Sequence, residues 1–80
     1  MNDDQIHKMG DLAAKIAKAV IDSGLTWDDG IAGLGVAAKA IALQASKEGA
    51  GLTEECVAQA ERRFQQGMDN APAVLKHWLK

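Results

Sequence analysis

The tripeptide Gly-Leu-Thr occurs twice, at Gly24-Leu25-Thr26 and at Gly51-Leu52-Thr53, each time between two stretches of helical apolar periodicity. Gly suits the left-handed residue just past a helix end, because without a β-carbon it enters that region at no steric cost. Thr suits the N-cap of the next helix, its hydroxyl accepting an otherwise unpaired backbone N–H. Leu between them stands where an apolar residue staples onto the first turn of the new helix. The two seams therefore cut the chain into helices, and they carry no reactive chemistry.

The stretch before the first seam predicts a helix over about Asp3 to Asp22, opened by Asn2 and Gln5 at capping-box spacing. At about 100° per residue, Ile6, Met9, Leu12, Ala13, Ile16, Ala17, Val20 and Ile21 share one half of its wheel. Gly10 falls on that apolar side, where a close helix crossing would account for it.

The second helix is predicted from Trp27 to Lys47, capped by Thr26, with Asp28 and Asp29 facing the positive end of its dipole. Its main apolar face holds Trp27, Ile31, Leu34, Ala38, Ile41, Ala42 and Ala45. A second stripe, Ala32, Val36, Ala40 and Leu43, lies on nearly the opposite side. Between them runs a strip of small residues, Gly30, Gly33 and Ala37, suited to close backbone approach. A helix apolar on more than one side is either central in its own fold or covered by a partner.

Past a loop at Glu48 to Gly51, a third helix is predicted over about Glu54 to Met68, capped by Thr53 and with Leu52 stapled onto Val57. Its apolar face is narrower: Cys56, Val57, Ala60, Phe64 and Met68. Asn70-Ala71-Pro72 reads as a break, since Pro disfavours helix at the residue before it and suits a helix's first turn. A short fourth helix would follow, with Val74, Leu75, Trp78 and Leu79 on one side and Trp78 as its anchor. The expected fold is all-α: residues 1–80 as a single helical domain, three main helices and a short C-terminal fourth closed into a compact bundle.

Eighty residues leave a thin core, and chains of this size often add a disulfide, a metal or a second subunit. Cys56 is the lone cysteine, so an internal disulfide is impossible. His7 and His77 lie at opposite ends and form no zinc spacing with it. Self-association, most simply as a dimer, or unusually good helix packing is then the expected supplement.

Nine basic and 11 acidic residues give a net charge of −2, without the basic field that nonspecific nucleic-acid binding needs. The acidic start Met1-Asn2-Asp3-Asp4 is unlike a signal peptide, and a single thiol fits a reducing cytoplasm. The apolar stretch from Gly30 to Ala45 contains Lys39 and is too short to span a bilayer.

Tempting site motifs have plainer explanations. Gly30-Ile31-Ala32-Gly33-Leu34-Gly35 has the wrong glycine order for a dinucleotide fingerprint and follows no strand. Both histidines fall on polar helix faces beside lysines. Cys56 belongs to an apolar arc, as an inert core thiol would. No catalytic constellation, metal set or cofactor site is expected. Arg62 and Arg63 have Glu55, Glu61 and Asp69 near enough on their helix to neutralise them. With Gln66 they remain candidates for a polar contact.

The expected function is therefore a small non-catalytic cytoplasmic protein-interaction module. It would be a regulator, adaptor or inhibitor that occupies a partner's surface, of the kind phages and other mobile elements use against host defences. Ala32, Val36, Ala40 and Leu43 are the expected partner or self-association residues. Two rivals are a helical DNA-binding regulator using the third helix, and a small-molecule binder with an inter-subunit pocket lined by the first two.

Overall fold

The computed structural model describes residues 2–76. Three α-helices follow in order: α1 over Asp3–Asp22, α2 over Trp27–Lys47 and α3 over Thr53–Leu75, with no strand among the described residues. The all-α class and the bounds of α1 and α2 agree with the sequence reading.

Local chemistry explains why α1 and α2 begin where they do. The Gln5 N–H donates to the Asn2 side-chain oxygen at 2.9 Å, and the Gln5 side chain accepts from the Asn2 N–H at 3.3 Å. Each group satisfies a donor left without an intrahelical partner. At α2 the Asp29 N–H donates to the Thr26 hydroxyl at 3.4 Å and to the Asp28 carboxylate at 3.1 Å.

The second seam is built differently from its expectation. Thr53 is already the first residue of α3, and Leu52 holds the cap position. Glu55 reaches back to accept from the Leu52 N–H at 2.9 Å. The Thr53 hydroxyl is instead bonded to Ser46 at 3.2 Å, while Ser46 donates to the Gly51 carbonyl at 3.0 Å. The left-handed residue just past α2 is Gly49, at φ +93°, ahead of Gly51 at φ +154°. Leu25 and Leu52 both stay exposed, so neither works as a tight staple.

Nor does α3 break at Pro72; it runs through to Leu75. A proline inside a helix lacks one N–H, and the carbonyl four residues back loses its partner. Here that carbonyl belongs to Met68, an exposed residue, so water can satisfy it. Val74 and Leu75, assigned by sequence to a fourth helix, are the last turn of α3. Trp78, Leu79 and His77 lie outside the described residues.

The α2–α3 pair is the best-packed part of the molecule, and α1 rests on both more sparingly. Small residues on α2, including Ala38, Ala42 and Ala45, line a shallow crevice between the helices together with Cys56 and Ala60 of α3. Ala42 is the apolar residue that becomes buried, at 5 % exposure. α1 meets α2 closely where Val20 lies against the buried Gly30. Its other anchor is Gly10, 3.6 Å from Val74 as measured from where a β-carbon would stand. That is ordinary contact, so α3 does pass Gly10, but an alanine would fit there too.

The expected compact closure is not reached. The radius of gyration is 13.8 Å, against about 11.6 Å for a compact chain of this length. The extents of 41 × 34 × 18 Å describe a plate rather than a ball.

Candidate protein-interaction surface

α2 is open on two sides. The stripe of Ala32, Val36, Ala40 and Leu43 is exposed throughout, Val36 at 72 %. These four recur at spacings of three and four, so the helix sets them in one row. Lys39 borders that row, three residues after Val36 and four before Leu43.

The opposite side is more apolar still. α1, α2 and α3 diverge around a groove of about 550 Å³, walled almost wholly by apolar atoms. Ile16, Val20 and Ile21 line it from α1, Trp27, Ile31, Leu34 and Ile41 from α2, and Phe64 from α3. By periodicity these are core positions. In the structure Trp27 is 80 % exposed, Ile21 78 % and Ile41 71 %. The groove is the interior of the bundle left open.

Sequence reasoning named the stripe and assigned the groove to the core. One available signal was size. α3 docks where α2 offers Ala38, Ala42 and Ala45, and such a narrow, close pairing leaves larger neighbours on the same face unclothed.

The strip of small residues divides. Gly30 is buried, and a β-carbon there would overlap a Val20 methyl. Gly33 has nothing near it, and Ala37 is exposed, so close packing accounts for Gly30 alone.

The polar candidates sit on α3 in local networks. Arg62 donates to the Gln59 side-chain oxygen at 3.2 Å through Nε and at 2.7 Å through a terminal nitrogen. Arg63 donates to Gln66. Neither arginine pairs with Glu55, Glu61 or Asp69, contrary to the sequence reading. Asp69 accepts instead from Gln65 at 2.9 Å. The ion pairs among the described residues are Lys8–Asp4 and Lys18–Asp22, both on the exposed face of α1. Such pairs contribute little to stability.

Reactive groups are scattered. Cys56 is half-buried against α2, and His7 is exposed. The described residues contain no cluster of His, Cys, Asp and Glu fit to hold a metal. The Asp28 carboxyl is held below its ordinary range, first by the Thr26 hydroxyl and then by backbone N–H groups, as a helix start requires. No described helix is long and apolar enough to cross a membrane. Comparison with protein-family models, with curated proteins and with solved structures returned no match.

Proposed function

We propose that this chain is a non-catalytic protein-interaction module. It self-associates and presents a helical surface to a partner protein in the cytoplasm, acting as a regulator, adaptor or inhibitor. One observation carries the reading: large apolar side chains stand open on opposite sides of α2, Trp27 and Ile41 on one and Val36 on the other. Exposed apolar surface on this scale is uncommon on a solitary chain and marks sites of association.

The stripe of Ala32, Val36, Ala40 and Leu43 suits a helix or shallow apolar groove of the partner, read at helical spacing. Arg62, Arg63 and Gln66 would add polar contacts at a rim. A small-molecule site is less well supported, because the groove lacks the few converging polar groups that orient a ligand.

The test is affinity purification from the native host, followed by reconstitution of the captured protein with the purified chain. Val36→Glu combined with Leu43→Glu should abolish a complex of fixed stoichiometry while the chain keeps its helical circular dichroism. Full retention of the partner by that variant would overturn the assignment of the stripe. DNA retention that weakens with salt, and is lost on Arg62→Ala with Arg63→Ala, would replace the whole reading.

A further inference from the structure

We infer that the open groove is filled by the same groove of a second copy of this chain, the two plates stacking face to face about a twofold axis. This assignment rests on the interaction-module reading and names one of its two surfaces.

Area is the first argument. The chain exposes 6437 Å², whereas a compact chain of its 8.5 kDa exposes about 4,650 Å². The surplus, roughly 1,800 Å², belongs to the open chain as a whole, with the groove as its most apolar part. A permanent dimer hides about 1,000–2,500 Å² on each partner, enough to take up most of that surplus if the surface around the groove is covered with it.

Supply is the second. With Ala42 as its buried apolar residue among those described, the chain has little interior of its own. Whatever covers the groove must be present whenever the chain is folded. A second copy always is, at the chain's own concentration, whereas a partner met intermittently would leave the free chain unprotected.

Charge and shape are the third and fourth. A twofold interface sets each patch against itself, so a charged patch would face like charge. This groove is apolar along its walls and raises no such conflict. Each molecule carries a net charge of only −2, so two copies repel weakly. Stacking along the 18 Å direction also brings the thin dimension near the other two, 41 and 34 Å.

The experiment is sedimentation of the full chain over a wide concentration range, read beside the fluorescence of Trp27 in a Trp78→Phe background. A dimer is expected, with Trp27 emission blue-shifted and shielded from a soluble quencher, and moving to the red on dilution. Ile31→Glu with Ile41→Glu should weaken dimerisation by at least about 100-fold. Val36→Glu with Leu43→Glu should leave it unchanged.

Because a groove variant can simply unfold, Trp27 shielding and its dilution dependence in the unaltered groove stand as independent support. A dimer broken by the Val36 and Leu43 pair but not by the Ile31 and Ile41 pair would overturn the inference and keep the module reading. A monomer with Trp27 exposed would overturn it too. So would a monomer with Trp27 shielded at every dilution, which would mean that the groove closes within one chain.

Discussion

The two Gly-Leu-Thr corners are identical in sequence and opposite in outcome. At the second, Ser46 ties Gly51 and Thr53 together, and α2 and α3 lie close, with Ala42 buried nearby. At the first, the bonds are confined to the turn. Ser23 donates to the Val20 carbonyl at 2.6 Å and accepts from the Leu25 N–H at 3.1 Å, while Ile21, Leu25 and Trp27 stay open. Punctuation decides where a helix stops. The residues that meet across the corner decide whether two helices pack. Small side chains line the α2–α3 corner, whereas at the α1–α2 corner Ile21 and Trp27 stay open and Val20 meets Gly30.

That contrast breaks most visibly at Gly30. In a helix interior Gly→Ala ordinarily gains up to about 1 kcal/mol. At Gly30 the added methyl overlaps Val20, and overpacking costs about 1–3 kcal/mol. Gly30→Ala should therefore lower the denaturation midpoint, while Gly33→Ala, with empty space around it, should raise it. In a Val20→Ala background Gly30→Ala should turn neutral or stabilising. Equal effects at the two glycines, measured by urea unfolding, would show that α1 is not held at this point.

A smaller effect separates the two threonines. Thr26→Ala removes an N-cap and should cost about 1 kcal/mol. Thr53→Ala removes a hydroxyl that caps nothing and should cost less, by about half. The same change at Thr26 should move Asp28 titration toward its ordinary range. Its carboxyl has a lower pKa in the folded chain, so the stability it contributes is present above the unfolded value and lost as pH falls through the folded one. The wild type should accordingly lose more stability than Thr26→Ala on acidification. Identical acid profiles, followed by NMR titration of Asp28 alongside unfolding, would remove the cap from the account.

Legibility followed the range of the forces involved. The starts of α1 and α2 were readable because Asn2 with Gln5, and Thr26 with Asp29, act across three residues. The start of α3 shifted by one because Thr53 is engaged by Ser46, seven residues back across a turn. Pro72 obeys a local rule that an exposed helix can break at modest cost. The candidate surface was half legible. Periodicity found the stripe on α2, and it marked Trp27, Ile31 and Ile41 as oily. It carries no information on how many neighbours come to cover them, which depends on where α1 settles.

The central claim is that this chain completes its interior with a second copy of itself. The most direct measurement is the thermal midpoint of the wild-type chain, followed by circular dichroism as protein concentration is raised. The midpoint should climb steadily with concentration, as it must when folding and pairing are one equilibrium. A sharp, cooperative transition at the same temperature across the whole range would contradict it.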